Sequence, residues 1–509
     1  MTTTKSTLIF GVPAALLITL SGCSKVDDPS LASRTELQDL PHKVAPDEIP
    51  YTENRQAFWG DLHIHTGLST DAYILGVRSE PEDVYRFSKG KVIEHGAGYP
   101  IQISRPLDFA AVTDHAEYLG QARQANLDIP LNQQSLSELL KNGSLWEITQ
   151  SWFNSSNQIR VNGFSPGGEA INPQVNKSAW QLTIDAAEHH YQPGLFTTFI
   201  GYEWSGNAGD ITAHLHRNVI YRNDQVSELP FSSVDGEQPE DLWRFLDAEQ
   251  KRGREAMAIP HNGNFSRGYM YASQDSDGQP LTAEYAELRS RLEPISEILQ
   301  IKGASETHPL LSNEDEFADF ELLGDSLFTQ SELPSSNKGS YMRDALRTGM
   351  EFSHAEGFNP YKFGVIGASD SHNANSPSEE SNYTGKLPML DGSAGLRTGE
   401  SLLVPDGINP VTRWSSGGLA GVWAESNTRE SIFGAMQRKE TFATSGPRIL
   451  VRFFAGWDFD ADSIKNPSLV SHAYANGEPL MAREWPAPLL WAGRRTLPIY
   501  LLHQPLLVG

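Results

Sequence analysis

The chemistry-bearing residues of this chain gather first in Phe58–Tyr73, FWGDLHIHTGLSTDAY, which holds Asp61, His63, His65 and Asp71. In a strand, residues two apart share a face, so Leu62 and Ile64 are expected to point one way and His63 and His65 the other. Two imidazoles side by side at a strand's end can hold one cation, and neutral imidazole is the commonest metal ligand. A lone HxH also arises by chance on surface strands. Here, residues of the same kind recur along the chain: Thr113-Asp114-His115, Gly201-Tyr202-Glu203, His214 and His216, Pro260-His261-Asn262-Gly263, Glu306, and Ser369-Asp370-Ser371-His372.

Each of these follows or borders a short apolar run. Phe109–Thr113 ends in Asp114-His115, Thr197–Ile200 in Gly201-Tyr202-Glu203, Ala256–Ile259 in Pro260-His261, and Gly364–Ala368 in Ser369–His372. Ile298–Ile301 precedes Glu306, and Asn218–Tyr221 reads as a strand with His214 and His216 just ahead. Helical spacing lies between them, in Trp180, Ile184, Ala187 and Tyr191, and in Leu242, Phe245 and Leu246 after Pro239. Strands alternating with helices imply parallel pairing. Polar residues at the carboxyl ends of such strands are what a β/α barrel uses for its active site.

The chain is long enough for one large domain or two to three ordinary ones, and 39% hydrophobic residues supply a large core. Its net charge of −24 argues against a general nucleic-acid binder, which needs a basic face for phosphates. An anionic substrate stays open, because a bound cation can outweigh the local field. Cys23 is the one cysteine, so an intrachain disulfide and a thiolate metal site are excluded, and a metal must use His, Asp and Glu.

Leu8–Leu20 is an apolar run behind Lys5, with the length of a signal-peptide core and too short to span a bilayer comfortably. It ends in Leu20-Ser21-Gly22-Cys23, which resembles the bacterial lipobox, where the cysteine is lipidated. Ser24 behind it fits an outer-membrane destination on the same resemblance. The expected organisation is a lipoprotein signal peptide at 1–23, a flexible tether at 24–50, a barrel at 51–440, a partial β region at 441–481 and an atypical tail at 482–509. Gln121–Pro173 and Asn373–Asp406 read as insertions, the second a lid or substrate loop, or else a surface excursion.

Taken together, the DLHIH run, Asp71, TDH, GYE, His216, PHNG and SDSH resemble the PHP (polymerase and histidinol phosphatase) superfamily, most closely its bacterial branch known as domain of unknown function 3604. The resemblance covers about Phe58 to Trp457. It implies a distorted (β/α)7 PHP-type barrel with insertions and a small C-terminal β region, holding two or three divalent metal ions. On the family pattern His63, His65, Glu203 and Asp370 hold one metal. Glu203 bridges to a second, held by His216 and His261, and Asp71, His115 and His372 hold a third. Glu203, Asp370 and His261 are the expected catalytic residues. Mixed imidazole and carboxylate ligands suit zinc, manganese or iron.

Several residues keep two readings. His214 could stand in for His216, and Asp71 could merely cap the turn after it. Asp61 and Asp114 could orient ligand imidazoles from behind. Glu306 is a proton donor, a ligand or a solvated loop acid. His189 and His190 lie on a helix and read as surface. Arg217 and Arg267 adjoin ligand motifs and could grip an anion, although surface salt-bridging explains them as well.

A metal cluster lowers the pKa of a bound water and neutralises charge building on a phosphoryl or carbonyl oxygen. The family's commonest chemistry makes phosphoester hydrolysis by a metal-bound hydroxide the first expectation, on a small-molecule or ester substrate, by a protein lipid-anchored at the periplasmic face of the cell envelope. The alternatives are a metal-dependent hydrolase of an amide or lactone, and a metal-binding surface lipoprotein without turnover. At the far end, Gly493–Gly509 resembles the last membrane segment of an acyltransferase-like family related to heparan-glucosaminide acetyltransferases, which suggests a fusion or frameshift at the gene level.

Overall fold

The strand that carries His63 and leads into His65 lies inside the main sheet, with partners on both sides. In a computed structural model, which describes residues 45–124, 172–208, 211–323, 338–398, 414–455, 459, 463–476 and 478–479, β1 (Gln56–Ile64) is buried from Phe58 onward. The short β2 (Ile93–Glu94) and β3 (Pro100–Ile101) follow, then β4 (Phe109–Val112), β5 (Thr197–Ala208), β6 (Ile211–Tyr221) and β7 (Ala256–Pro260). After these come β8 (Ile295–Gln300), β9 (Gly303–Ala304), β10 (Gly364–Gly367), β11 (Leu419–Ala424), β12 (Thr441–Thr444), β13 (Phe454–Ala455) and β14 (Glu478–Pro479). The leader with Cys23, nearly all of the tether, most of the 121–173 insertion, 399–406 and the tail from 482 lie outside the described residues.

The fold is mixed α/β. A seven-stranded sheet runs in the order β12-β11-β1-β4-β5-β6-β7, and a second sheet in the order β10-β8-β9. β1, β4 and β5 are parallel, as are β8 and β10. The uniformly parallel pairing expected from the alternation is not what forms. β5 and β6 make an antiparallel hairpin, β7 runs antiparallel to β6, and β11 and β12 join antiparallel beyond β1. The physical reason is connection length: β5 and β6 are separated by two residues, and only antiparallel strands can be joined by so short a turn. Both strands run longer than the apolar runs at 197–200 and 218–221, since polar residues continue the ladder once it is paired.

Side chains from both sheets share one apolar cluster, including Leu62, Phe109, Phe199, Ile259, Ile295 and Ile366, closed by the helix Arg429–Gln437 through Ile432 and Phe433. Each such fully buried side chain contributes about 1.5–3 kcal/mol of hydrophobic free energy. Close approach of β1 and β4 depends on Gly60, where a Cβ would fall 2.2 Å from the Phe109 ring. Leu62 and Ile64, expected on one face, enter different clusters, because the β1–β4 register shifts between Asp61 and Ile64.

The helices at Pro173–His190 and Pro239–Lys251 form where the apolar spacing placed them. Thr441–Thr444 pairs with β11 at the edge of the main sheet. Beyond it, the described β structure is β13 paired with β14. Among the described residues no helix is long and apolar enough to cross a membrane.

Candidate metal centre

β1, β4, β5 and β7 point the same way, so their carboxyl ends meet along one edge, and β6 starts from that edge. From β1, His63 and the adjoining His65 turn Nε2 toward one carboxylate oxygen, Glu203 Oε2, at 3.5 and 3.1 Å. Asp370 Oδ1 lies 3.4 and 3.5 Å from the same two nitrogens. Glu203 sits within β5 rather than at its end, and its other oxygen, Oε1, faces His216 Nδ1 at 2.7 Å and His261 Nε2 at 2.8 Å. Ser205 is the register partner of His216, which explains why an antiparallel strand delivers a histidine from its first half. On the far side of His65, Asp71 Oδ2 is 2.8 Å from His372 Nε2 and 3.5 Å from His115 Nε2.

The structure therefore brings together every expected ligand: His63, His65, Asp71, His115, Glu203, His216, His261, Asp370 and His372. His214, with which His216 might have exchanged roles, is in none of the candidate ligand groups; its ring rests on Phe265. Asp71 lies inside the helical turn Thr70–Ile74, where Oδ1 accepts from the Ala72 N–H and Oδ2 faces His372 and His115. Glu306 is a solvated loop acid facing Arg343 at 3.6 Å. His189 is exposed as expected, but His190, also expected at the surface, is buried because its face of the helix packs inward; both converge on Glu82 at the end of that helix. Arg217 neither grips an anion nor lies on the surface; it is buried against Glu293 at 2.9 Å. Arg267 is half-buried with a positive φ of 54°.

The supporting contacts differ in part from expectation. Asp61 touches no imidazole; it accepts from the His63 and Ser369 N–H groups and so fastens β1 to the loop that carries Asp370. Asp114 reaches His65 through Ser69, accepting from the Ser69 hydroxyl, whose oxygen contacts His65 Nδ1 at 2.9 Å. The group that orients His63 is Glu297, with Oε2 2.9 Å from Nδ1. Glu297 was illegible because it lies inside a strand, whereas the pattern looked for acids at strand ends. Lys302 and Lys386 were missed too. Their Nζ atoms lie 2.5 Å from Asp370 Oδ2 and 2.9 Å from Asp370 Oδ1, and Lys302 could have been noticed as the polar residue directly after a buried strand.

Electrostatics follow from burial in a crowd of opposite charges. Burial works to raise the Glu203 carboxyl, but His115 and His261 hold it well below the usual range. Burial works against a charged His63, yet Glu297 and Asp370 push it up to about 10, and Glu203 and Asp71 do the same for His115. Burial pulls His216 down to about 4 and His372 to about 3. Two residues of the site region hold left-handed backbone without being glycine, Asn262 at φ 61° and Asp370 at φ 54°. Such strain persists only where surrounding structure enforces it, and it concentrates at functional sites.

These residues fit divalent cations. His63 Nε2, His65 Nε2 and Glu203 Oε2 are buried, converge, and make no hydrogen bond. Uncompensated burial of such atoms costs several kcal/mol, and a shared cation removes that cost. Candidate ligand groups of this kind include His63/His65/Asp370, Glu203/His216/His261 and His65/His115/His372.

The sequence model of the family described as "Protein of unknown function (DUF3604)" matches residues 52–488. The chain belongs to the DUF3604 family. No curated protein matches it. Among solved structures, it is similar to a two-domain protein from Bacteroides vulgatus containing a predicted PHP-like metal-dependent phosphoesterase. Identity is 13%, the TM-score is 0.32, and the match covers 81% of this chain and 68% of the other. The expected resemblance of Gly493–Gly509 to a membrane acyltransferase family finds no support, the DUF3604 match ending at 488.

Proposed function

We propose that this DUF3604 protein is a metal-dependent hydrolase of the PHP type, and that its reaction is phosphoester hydrolysis. The observation that carries the reading is the convergence of His63 Nε2, His65 Nε2 and Glu203 Oε2, buried and without hydrogen bonds, with Asp370 Oδ1 beside them. His63, His65, Glu203 and Asp370 would hold one ion, Glu203, His216 and His261 a second, and Asp71, His115 and His372 a third. Bound zinc, manganese or iron would supply Lewis acidity and an activated water. Glu203 presents one oxygen to each of two ligand groups, so it fixes their spacing. Glu297 and Ser69 set the ring orientation of His63 and His65. Substrate binds from the open edge of the sheet, where the ligand-bearing strand ends gather.

Export belongs to the same reading. We infer that Leu20–Cys23 directs lipid attachment at Cys23, leaving the enzyme at the periplasmic face of the envelope, on the outer membrane.

The test is hydrolysis of a chromogenic phosphate ester with added manganese or zinc, with the bound metal measured by elemental analysis. Two or three ions per chain and activity abolished by chelator are expected. Glu203→Gln keeps shape but removes the bridging charge, and should cut turnover on the order of 10^3–10^4-fold with the fold intact. Metal-loaded protein that cleaves an amide or lactone and no phosphoester overturns the phosphoesterase assignment. Protein that cleaves nothing across a broad panel, with Glu203→Gln altering metal affinity alone, leaves a binding protein.

A further inference from the structure

Two ammonium groups enter the metal centre, and both end on one carboxylate. Lys302 comes from the stretch just after β8 and places Nζ 2.5 Å from Asp370 Oδ2. Lys386 comes from the segment after His372 and places Nζ 2.9 Å from Asp370 Oδ1 and 2.9 Å from His372 Nδ1. Their side chains are 10% and 6% exposed. Burying one ammonium costs several kcal/mol after relaxation, and a single carboxylate balances one charge, not two. Glu203 and Glu297 add their charge for Lys302, and Asp71 and the Asp370 carbonyl add theirs for Lys386, but Asp370, Glu203 and Asp71 are also the carboxylates expected to hold cations.

The backbone holds Lys386 in place deliberately. Its N–H and that of Leu387 donate to the buried Asp391 carboxylate at 2.6 and 2.9 Å, and its carbonyl accepts from the His372 N–H. Lys302 is tied through its carbonyl, which accepts from Asn264 Nδ2. Both backbones are anchored while both side chains keep four rotatable carbons.

Asp370 Oδ1 also faces His63 and His65 Nε2, so a cation held there lies against the Lys386 ammonium. Like charges at that separation repel by several kcal/mol in a protein environment. An anion bound at the same cation relieves this, because it offers the ammonium a partner in place of Asp370. Lysine suits that task, being a compact point charge on a long stem and a common phosphate binder.

We propose that Lys302 and Lys386 are the substrate-gripping residues of this centre, reaching from Asp370 to the oxygens of a terminal, dianionic phosphate bound at the cations beside it. This rests on the hydrolase reading above and narrows it to phosphomonoesters. Two added positive charges favour a dianion over a diester, and give a neutral amide or lactone nothing.

The test uses the full, metal-loaded chain with inorganic phosphate as probe, followed by titration calorimetry, with metal content and circular dichroism on every variant. Lys302→Met and Lys386→Met should each keep their metal and lose about 10- to 100-fold in phosphate affinity, the scale of one hydrogen bond to a charged group. Lys386→Arg should retain most of the affinity, because the charge remains. Variants that fold and bind phosphate as tightly as the parent overturn the proposal, as do variants that lose metal instead, which would make the lysines structural counter-ions. A parent that binds metal but neither binds phosphate nor cleaves a phosphoester overturns the phosphoesterase reading itself, an outcome distinct from variant failure.

Discussion

At the scale of single residues, three of the candidate ligand imidazoles are held by a fixed neighbour. Glu297 on His63, Ser69 on His65 and Ser205 on His115 hold the ring nitrogens that face away from the centre or flank it. Such partners set tautomer and orientation, and removing one typically lowers metal affinity about 10- to 100-fold. Glu297→Ala is therefore expected to weaken metal binding by about that factor in a chelator competition while leaving the other ligands able to bind. Equal affinity in the variant and parent would mean that Glu297 only fills space. The candidate ligands that the fold brings together were legible in sequence because histidine and acid pairs at fixed short spacing, HxH and DxH, are uncommon without a use. Glu297 was not, because a single acid in an apolar strand carries no spacing signal.

At the scale of elements, the centre is braced by the segment from Asn373 to Asp391. It was expected as part of an exposed lid or excursion, yet Asn373, Asn375, Ser376, Thr384, Lys386 and Asp391 are buried. It packs on the β2–β3 hairpin, where Gly96 N–H donates to Asn373 Oδ1 and the His95 ring stacks on Tyr99 at 4.4 Å. Burial, with the Arg397 guanidinium adding to it, pulls His95 down to about 3. In the unfolded chain histidine takes a proton near pH 6.5. Between those values the unfolded state binds more protons, so stability is lost as pH falls and is fully present above 6.5. His95→Phe should flatten the stability–pH line between pH 6 and 5 by about 1.4 kcal/mol per pH unit, measured by chemical denaturation. An unchanged slope would show that His95 does not titrate as argued.

At the scale of the whole molecule, the proposed metal centre and the proposed lipid anchor are separate matters. On the proposed reading a lipid on Cys23 tethers the protein through a residue outside the candidate ligand set, which runs from His63 to His372. Cys23→Ala should thus move the protein out of the membrane fraction, unprocessed or soluble, with its metal content unchanged. Stable anchoring needs more than one acyl chain, so the loss should be large in a fractionation. Identical fractionation of variant and parent would rule out lipid anchoring at this residue.

What the sequence determined by itself was the identity of the donors and the existence of the strands that carry them, because ligand chemistry and apolar runs are local properties. It could not decide strand direction. Parallel pairing was the natural reading of alternating strands and helices, but β5 and β6 pair antiparallel across a two-residue connection, and β11 pairs antiparallel with β1 from far along the chain. Nor could it decide which residues stand behind the ligands. Glu297 lies far along the chain from β1, and packing of the second sheet against the first brings it to His63, while the β8–β10 pairing brings Lys302 to Asp370 and the loop after His372 folds Lys386 back onto it. Long-range contact of that kind leaves no mark on local spacing, and tertiary structure alone reveals it.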